Sequence, residues 1–555
     1  MRITYMKTVS GPEEANTIRD LILRNRKISD IDSFINPPHP INFTLSSFGF
    51  TDDLQKVMHL LKSIRDNGKS IVVYSDYDAD GITGGAILWE TLHRLHFHVM
   101  PYVPNRITEG YGFSKQGIDT VIAQYHPALI ISVDHGISGK EFVNYAKQKG
   151  VPVIITDHHT KPEQLPNDAF AIFHIPEFSG SGVAYMVAKE IAEYFVGDKS
   201  LHDTFASYYL ALAATGTIAD LVPLVGPSRS IAKHGLAAFS GITRPGLRNI
   251  LDVAGVQNRA LTPYDIGFII APRINAVGRI RDPMDALRLL CTRDIHRAHT
   301  LSELVSSTNT KRQSMVETYV EEAIQMVDNQ YGATLPSILI LTSHTWHEGV
   351  IGLIAAKMVE RYFRPTIIMT QSESGFKASA RSIPALHLAQ FLAQLKPLLL
   401  SYGGHRQAAG FSITKNNHQL FVKEAMQLAE KILKPEDFEK KIVVDIRMPF
   451  SAASFALSKS LAALEPFGMG NMKPLFASDI TISRFDIMGK QGNHIKLSAQ
   501  DPIHKQNPID VIAFGKAKEY TALIQNTTKH HVVYELGINT WNGKSTVQAI
   551  LRHMV

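Results

Sequence analysis

The amino-acid sequence predicts an α/β protein in which two α/β lobes are joined by a helical linker and followed by a small C-terminal β-barrel of the OB type. Short apolar segments alternate with helical patterns over residues 49–225, which is typical of a parallel sheet with crossover helices. A second region of the same kind begins near Ser337. Beyond residue 440 the sequence contains short strand-like segments separated by glycine turns, and these favour a barrel.

Domain boundaries follow from these changes of pattern. Residues 1–48 contain a PPHP break and have no predicted role. Residues 292–327 keep a helical periodicity with few breakers and are predicted to form a long connecting helix between the lobes. The predicted domains are a lead-in (1–48), a first α/β lobe (49–225), a helical region with the connecting helix (226–335), a second α/β lobe (336–435) and the barrel (440–555).

Composition limits the classes of protein to which this chain can belong. The 555 residues include 45% hydrophobic residues, enough for several full-sized cores, and the single cysteine excludes an intramolecular disulfide. No apolar run reaches the roughly 18–20 residues that span a bilayer, and the first residues lack the apolar core of a signal peptide. We therefore expect a cytoplasmic protein without a membrane partner. Residues 441–555 carry 13 Lys and Arg against 8 Asp and Glu, which suits a polyanionic ligand.

The most informative segment is IVVYSDYDAD, which begins at Ile71. Its apolar start is typical of a buried strand in a parallel sheet. Gly81 is then predicted to turn the chain into a helix that starts at Gly84. Carboxylates crowded at one strand end repel one another unless a cation lies among them, and such oxygen ligands suit Mg²⁺ or Mn²⁺. A solvated acidic turn that caps the helix is the alternative. The three carboxylates, at alternating positions, are Asp76, Asp78 and Asp80.

The pattern of an apolar stretch with a terminal acid recurs in segments 128–136, 151–159 and 208–220, and we interpret all four as strand-end clusters. In an open α/β sheet, ligands bind outside the carboxyl ends of the strands, so these side chains are predicted to converge on one cleft. Carboxylates with imidazoles make a plausible two-metal hydrolytic site that acts at phosphorus. For the histidines alone, a surface loop is the alternative. The converging residues are Asp76, Asp78, Asp80, Asp134, His158, His159 and Asp220.

The segments DYDADG, SVDHG, TDHH and GTIAD resemble, in this order, the four motifs of the DHH phosphoesterase superfamily. The later segments APRINAVGRI, WHEGVIGLIAAKMVERY, SARSI, GGHRQAAGF and LEPFGMGN are similar to the RecJ group, the single-strand-specific 5′→3′ exonucleases. The resemblance covers roughly residues 45–555 and implies that the lobes are DHH and DHHA1-like domains. Two positions depart from it: His135 replaces an expected asparagine, and FHIPEF (173–178) replaces an expected Asn-Pro dipeptide. Neither departure removes an expected metal ligand.

The resemblance implies a site with two divalent ions, Mn²⁺ or Mg²⁺. His159 is expected to contact the scissile phosphate or to orient the attacking water. Asp134 is the candidate for a ligand that bridges both ions and is therefore essential for catalysis. The other expected ligands are Asp76 and Asp78 at one ion, and Asp80, His158 and Asp220 at the second ion.

The second lobe is expected to recognise the end of the strand. Ser379 and Arg381 occupy alternate positions of an extended segment, so their side chains face the same way. A hydroxyl and a guanidinium on one face can hold a terminal phosphate; ion pairs within the fold are the alternative for the arginines. The resemblance implies that Arg279 joins them in binding the 5′ end, with His405 nearby.

Three functions of different classes are compatible with the sequence. We favour a single-stranded-DNA-specific 5′→3′ exonuclease of DNA repair and recombination. A phosphoesterase for short oligonucleotides or small nucleotides would not need the basic barrel. A non-catalytic replication scaffold would not need seven ligand-capable side chains. The expected partner is single-stranded DNA, and the resemblance adds a single-stranded-DNA-binding protein and a helicase. The two-lobed architecture is compatible with a monomer.

Overall fold

The computed structural model describes residues 2–11, 13–196, 201–257, 259–373, 375–504, 507–525 and 527–555. Its strands are β1 (Arg2–Thr8), β2 (Ser70–Ser75), β3 (His98–Tyr102), β4 (Leu129–Val133), β5 (Val153–Asp157), β6 (Ala171–His174), β7 (Leu339–Ser343), β8 (Thr366–Ser372), β9 (Gly375–Arg381), β10 (Ser401–Gly404), β11 (Ala408–Ile413), β12 (Lys441–Arg447), β13 (Phe476–Met488), β14 (His494–Gln500), β15 (Ile509–Ala513), β16 (Lys529–Trp541) and β17 (Lys544–Met554).

The α-helices are α1 (Ala15–Asn25), α2 (Ile31–Ile35), α3 (Thr51–Asp66), α4 (Ala79–Arg94), α5 (Lys115–Tyr125), α6 (Lys140–Gln148), α7 (Gly180–Val196), α8 (His202–Ala206), α9 (Tyr208–Ala219), α10 (Gly226–Ala238), α11 (Pro245–Ala254), α12 (Ala271–Ile280), α13 (Met284–Cys291), α14 (Ile295–Tyr331), α15 (Ile351–Tyr362), α16 (Leu388–Gln394), α17 (His418–Ile432), α18 (Phe455–Ala462) and α19 (Ala517–Ile524). A π-helical turn, Asp265–Ile270, precedes α12 directly.

The chain forms two compact units. The larger unit comprises Ile41–Asp220 and His234–Lys440. The smaller unit is assembled from Met1–Pro40, Leu221–Lys233 and Lys441–Val555. The prediction of two α/β lobes, a helical linker and an OB-like barrel is confirmed by these folds. The predicted domain limits stay a prediction. The two compact units divide the chain differently, because residues 1–40, for which the sequence predicted no role, belong to the barrel unit.

The first sheet of the larger unit is parallel throughout, with strand order β3-β2-β4-β5-β6. The three central strands, β2, β4 and β5, are buried on both faces, as expected for apolar strands covered by helices. The chain leaves β2 for β3 on one side and then returns to β4 on the other. This reversal opens a crevice at the carboxyl ends of β2 and β4.

Two elements differ from the sequence-based expectation. Helix α4 begins at Ala79, so Gly81 lies in its first turn and does not end a loop. The segment 208–219 is a buried α-helix, and Asp220 is its C-cap; the prediction of a fourth strand end was therefore wrong there. An apolar run of this length satisfies a buried helix as well as a buried strand, so periodicity could not decide.

The second lobe of the larger unit is a mixed sheet with order β10-β11-β9-β8-β7. Only β7 and β8 are parallel, and the other neighbours run antiparallel. Helix α14, with 37 residues, precedes this lobe as the predicted connecting helix. Helix α15 packs on the sheet through a core that includes Ile354 and Met358.

In the smaller unit, five strands close into a barrel. The pairings run β13–β14, β14–β15, β15–β17, β17–β16 and β16–β13, which returns to the first strand. Full closure leaves no free edge within the ring. Strand β12 pairs in parallel with the first residues of β13, and β1 pairs in parallel with β12.

Residues from three parts of the chain share the core of the smaller unit. Ile18 and Ile22 of α1 are fully buried in the same cluster as barrel residues such as Phe476. Arg229 is buried as well, and its guanidinium lies 3.8 Å from the centre of the Phe34 ring. That guanidinium donates to the carbonyl oxygens of Phe34, Leu464, Glu465 and Pro466.

Within the described ranges, no helix is both long and apolar enough to cross a membrane.

Candidate metal centre and phosphate pocket

The first carboxylates of the site lie at the crevice between β2 and β4. Asp76 follows β2, and its backbone N–H donates to Val133 O, which continues the strand pairing by one residue. Asp134 follows β4 and is held in the same way by Thr156 O. Asp134 has φ +66°, so its backbone leaves the strand direction at this residue. Both side chains are almost completely buried, at 1% and 2% exposure.

The first turn of α4 supplies the next two carboxylates. Asp78 is the N-cap of α4, and its Oδ1 accepts the backbone N–H groups of Asp80 and Gly81. The amide of Asn275 fixes this turn from α12, because Asn275 Oδ1 accepts the N–H of Ala79 at 2.7 Å. The helix therefore begins among the acids, where its unpaired N–H groups favour negative charge.

Asp80 is oriented by the start of a second helix, α7. Its carboxylate accepts the N–H of Gly180 at 2.7 Å and that of Ser181 at 3.0 Å. Gly180 has no space for a side chain, because an added Cβ would lie 2.3 Å from Asp134 Oδ1. Because the backbone at Gly180 lies so close to Asp134, the N–H groups at the start of α7 can reach the carboxylate of Asp80.

His158 lies at the centre of the carboxylates. Its Nε2 is 3.2 Å from Asp134 Oδ1, 3.4 Å from Asp220 Oδ2 and 3.9 Å from Asp80 Oδ2. Asp220 reaches this position from the C-terminal end of α9. Burial lowers the pKa of His158, which favours the neutral imidazole that can act as a ligand.

His159 has a different environment. Its Nδ1 is 2.8 Å from Asp157 Oδ1, and Asp157 Oδ2 accepts the N–H of Ile137. Burial opposes protonation of His159, but the hydrogen bond and charge of Asp157 raise the pKa of His159 to about 9. On its other side, His159 Nε2 is 3.2 Å from the hydroxyl of Tyr111, which also donates to Asp134 O.

The electrostatics of the acids fit a divalent cation. Burial, and then the charges of Asp80 and Asp78, raise the pKa of Asp220 to about 8. Burial and neighbouring carboxylates also raise the pKa of Asp76, Asp78 and Asp134. Three buried atoms of this cluster lack a hydrogen-bond partner: Asp76 Oδ1, Asp134 Oδ1 and His158 Nε2. Unsatisfied buried acceptors of this kind are compensated by metal coordination.

The side chains form three groups in which ligand atoms lie within 4.8 Å of one another. Because Asp134 belongs to two of them, the arrangement has room for two neighbouring ions that share Asp134. The structure thus brings together all seven residues that the sequence placed in one cleft. The groups are Asp76 with Asp78 and Asp134; Asp80 with His158 and Asp220; and Asp134 with His158 and His159.

Four guanidinium groups, which we call the arginine cluster, lie beside these acids: Arg106, Arg279, Arg312 and Arg381. Burial, and then the charge of Arg106, lower the pKa of Arg279 to about 9, and Arg312 and Arg381 contribute in the same direction. No ion pair in the described part of the chain joins any of the four to a carboxylate. Mutually repelling, enclosed guanidiniums provide a site for an anion.

Ser379 and Arg381 lie on the same face of β9, as their alternate spacing predicts, and Arg381 Nη1 is 3.2 Å from Ser379 Oγ. The start of α15 approaches both side chains: a Cβ on Gly352 would lie 2.9 Å from Ser379 Oγ and 3.0 Å from Arg381 Nη2. Arg279 reaches the same region from α12 and donates to Gly349 O. A helix N-terminus, a hydroxyl and arginines together suit a phosphate group.

His405 occupies a different position. It lies exposed in the hairpin turn between β10 and β11, where its backbone N–H donates to Ala408 O at 2.8 Å. Ala408 is paired with Arg381 across the sheet, so the turn stands at the edge of this region.

Several residues of the site were not identified from the sequence, among them Asp157. Arg106 and Tyr111 lie in the loop after β3, and Arg106 Cζ is 5.1 Å from the centre of the Tyr77 ring. The strand-end rule could have found this loop, since β3 is another parallel strand with polar residues after its carboxyl end. Arg312, on α14, had no such signal, because it lies within a long helix rich in charged residues.

Three segments match known domain families. Residues 70–217 match the DHH family N-terminal domain, residues 335–431 the DHHA1 domain, and residues 444–553 the RecJ OB domain.

Whole proteins are similar to this chain over most of its length. The single-stranded-DNA-specific exonuclease RecJ of Escherichia coli is 30% identical over 522 residues, which is 90% of this chain and 89% of that protein. The protein of the same name from Bacillus subtilis is 32% identical over 87% of this chain, but this chain spans only 61% of its length. Among solved structures, RecJ of Thermus thermophilus in complex with Mn²⁺ has a TM-score of 0.82 and 26% identity, covering 100% of this chain and 80% of that one. Its Mg²⁺ complex has a TM-score of 0.75 and 25% identity, with 100% and 78% of the chains covered.

Proposed function

This chain belongs to the RecJ family, and from that premise we propose that it is a single-stranded-DNA-specific exonuclease that hydrolyses phosphodiester bonds from the 5′ end. One observation carries the proposal: a buried cluster of metal-ligand side chains and an arginine cluster without carboxylate partners occur side by side in the larger unit. The cluster of metal ligands suits hydrolysis at phosphorus. The arginine cluster suits binding of the terminal phosphate of a strand.

The donor set fits two Mn²⁺ or Mg²⁺ ions, the metals present in the Thermus thermophilus structures. When bound, such ions activate water and neutralise the charge that develops on phosphate oxygens. Asp134 would be shared between the two positions, because its carboxylate belongs to the group with Asp76 and Asp78, and its Oδ1 lies 3.2 Å from Nε2 of His158, a member of the other group. The remaining ligands would be Asp76 and Asp78 at one position, and Asp80, His158 and Asp220 at the other.

His159 is proposed to act on the scissile phosphate and not primarily as a ligand. Asp157 holds its ring through Nδ1, which directs Nε2 towards Tyr111 and the acids. With a pKa of about 9, His159 carries its proton at neutral pH and can donate to a phosphate oxygen or orient water through Nε2. Asp157 and Tyr111 are positioning residues in this arrangement.

The 5′→3′ polarity is proposed to arise in the phosphate pocket formed by Arg279, Ser379 and Arg381. A terminal phosphate monoester carries more negative charge than an internal diester, so enclosed guanidiniums favour the end of a strand. Arg106 adds a further positive charge from the loop that also carries Tyr111. A role for His405 stays a prediction, and its exposed hairpin position suits contact with the strand beyond the terminal phosphate.

The smaller unit is proposed to bind the single strand. Trp541 is 74% exposed at the tip of the β16–β17 hairpin, and Phe514 is 59% exposed. Exposed aromatic side chains stack on bases without regard to sequence. The basic excess of residues 441–555 adds affinity for the phosphate backbone.

End-labelled oligonucleotides test the proposal directly. We expect the full chain, with Mn²⁺ or Mg²⁺, to release mononucleotides from a 5′-labelled single strand at once, and to release a 3′ label only after the strand has been consumed. Blunt duplexes should resist, and chelation of the metal should stop the reaction. Release of the 3′ label first would contradict the polarity, and activity confined to oligonucleotides of a few residues would favour the short-oligonucleotide phosphoesterase. Absence of hydrolysis with either metal would favour a scaffold.

The role in DNA repair and recombination, the single-stranded-DNA-binding protein and helicase partners, the monomeric state and the cytoplasmic location stay predictions. Each is compatible with a strand-degrading enzyme.

A further inference from the structure

A second basic cavity, which we call the distal cavity, lies in the larger unit among the ends of four helices. Its volume is about 310 Å³. Helix α4 ends at this cavity with Arg94, and α9 begins there with Tyr208. Helix α11 begins there after Arg244, and Arg293 precedes α14. A volume of this size is at the lower end of that of small-molecule sites.

The distal cavity is far from the metal centre along the chain's own helices. Arg94 is 14 residues beyond Asp80 on α4, which corresponds to about 21 Å at the rise of an α-helix. Tyr208 is 12 residues before Asp220 on α9, about 18 Å by the same measure. The cavity and the metal centre thus lie at opposite ends of the same two helices.

Positive charge dominates the distal cavity. Arg244 and Arg293 both donate to Glu90 Oε1, the latter at 3.1 Å. Arg94 donates instead to the hydroxyl of Thr204 at 3.0 Å. Among the ion pairs of the described residues, Glu90 is the one carboxylate that pairs with any of these three arginines, and it pairs with Arg244 and Arg293. Two positive charges remain, which matches the charge of about −1.5 to −2 on a phosphate monoester at neutral pH.

The arginine at the centre of the cavity is already oriented. The Arg244 guanidinium lies 4.5 Å from the centre of the Tyr208 ring, and its Nη1 donates to Cys291 O. These contacts and the Glu90 pair leave further N–H donors, because a guanidinium carries five. An arginine held in place before binding loses little conformational entropy when a ligand arrives.

Backbone donors add to the guanidiniums. Helices α9 and α11, with 12 and 10 residues, both begin at the cavity, and neither has a side-chain hydrogen bond at its N-cap. The first N–H groups of a helix have no intrahelical acceptor, and the helix dipole is positive at this end. Two uncapped helix starts and three arginines therefore line one cavity, although α11 begins with Pro245, which has no N–H to donate.

From these observations we propose that the distal cavity binds the phosphate group of a free mononucleotide. The arginines and helix starts recognise the phosphate monoester, and the volume admits one nucleotide but not a folded strand. The inference is independent of the nuclease activity, since it concerns binding about 20 Å from the acids. An internal phosphate of a DNA strand offers related chemistry, so the test distinguishes these two sources.

Hydrogen–deuterium exchange on the full chain locates the binding. Thymidine 5′-monophosphate should slow exchange in peptides that cover residues 204–210 and 241–248, and thymidine without phosphate should not. Because the arginine cluster is also proposed to bind phosphate, protection there is recorded separately. Protection confined to peptides with Arg279 or Arg381 would overturn the proposal. Equal protection by thymidine, or stronger protection of the distal peptides by a 5′-hydroxyl oligonucleotide than by the monophosphate, would overturn it as well.

The double variant Arg94→Gln, Arg293→Gln removes two charges but keeps Arg244, which pairs with the buried Glu90. We expect the apparent Kd for thymidine 5′-monophosphate at the distal peptides to rise at least about tenfold, the effect of losing charge-assisted hydrogen bonds. Arg248→Gln, a charge change on the exposed face of α11, is the matched control and should leave the Kd unchanged. If the double variant unfolds at a lower temperature than the wild type, the single variant Arg293→Gln replaces it in the test, because the Arg293 side chain is 67% exposed. An unchanged Kd in a folded variant would refute the site.

Discussion

Asp157 Oδ1 lies 2.8 Å from His159 Nδ1, and only His158 separates these two residues in the chain. The same oxygen also accepts the backbone N–H groups of both His158 and His159. One carboxylate therefore fixes the turn that carries two histidines and selects the ring orientation of the second. The two neighbouring histidines therefore have different proposed roles: His158 is the candidate metal ligand, and His159 is the candidate proton donor.

Replacement of Asp157 by Asn should test this separation. Asn keeps the size of the side chain but removes the charge that orients and protonates His159. We expect kcat to fall roughly tenfold to a hundredfold, the usual cost of losing such a supporting group, with KM little changed. Asp168→Asn, which removes the partner of an exposed ion pair with Lys147, is the control and should be neutral. A fall of the same size in the control would show that the assay reports general destabilisation.

Asp134→Asn should abolish hydrolysis and stabilise the metal-free protein. Asn tolerates the positive φ of this residue, which Ala does not, so the backbone is preserved. Removing one charge relieves repulsion among the buried acids, and the melting temperature in a chelator should therefore rise. The stabilisation that added Mn²⁺ gives the wild type should be largely lost. Retention of more than about a tenth of the wild-type rate would be incompatible with a carboxylate shared by two ions.

Gly180→Ala should impair the site without replacing a proposed ligand. The new Cβ would lie 2.3 Å from Asp134 Oδ1 and must displace either that carboxylate or the start of α7. We expect at least about a tenfold loss of rate, because misplacement by an ångström costs this much or more. Gly267→Ala adds a methyl group where no atom lies within 4 Å, and this control should retain activity. The assay is single-turnover hydrolysis at saturating metal.

Arg381→Gln should reduce the advantage of a 5′-phosphorylated strand over a 5′-hydroxyl strand. A charge-assisted contact is worth about 1.5–3 kcal/mol, which corresponds to roughly a tenfold to hundredfold change in that ratio. The control Arg361→Gln removes a guanidinium from the exposed face of α15 and should leave the ratio unchanged. Equal losses on both substrates would assign Arg381 to the fold or to general strand binding.

Truncation after Lys440 should produce an aggregating protein and not a smaller active enzyme. The deletion removes the strand that pairs with β1 and the core that covers α1. Ile18, Ile22 and Leu23 are at most 1% exposed in the intact chain and would face solvent. Light scattering and soluble yield check this outcome. A soluble, monomeric and fully active truncation would show that these segments fold elsewhere when the barrel is missing.

Much of the metal centre was predictable because its residues directly follow apolar strands. Asp76, Asp134 and His158 come directly after or near strand ends, and parallel strands bring their carboxyl ends to one edge. The same reasoning also predicted that Asp220 lies at this edge, but it did so by treating the preceding apolar stretch as a strand. Its apolar stretch is a helix, and that helix happens to end at the same edge.

Other features could not be predicted because their determinants are distant in sequence. Arg229 has no local signal of burial, since its acceptors are carbonyl groups of residues 34 and 464–466. The role of β1 depends on a strand more than 400 residues later in the chain. Arg106 and Arg312 meet Arg279 only after α12 and α14 have packed with the first lobe. Periodicity reports which face of an element is buried, but not against what it packs.

The pairing of β1 with β12 has a consequence for biosynthesis. After the ribosome has made Thr8, it must add about 430 residues before Lys441, the first residue of the partner strand, exists. At roughly 5–20 residues per second, this takes on the order of 20–90 s. Throughout that interval β1 and the apolar face of α1 have no barrel to cover them. The early part of the nascent chain therefore exposes apolar side chains for this whole interval, and factors at the ribosome that bind apolar peptides should raise the yield of folded protein.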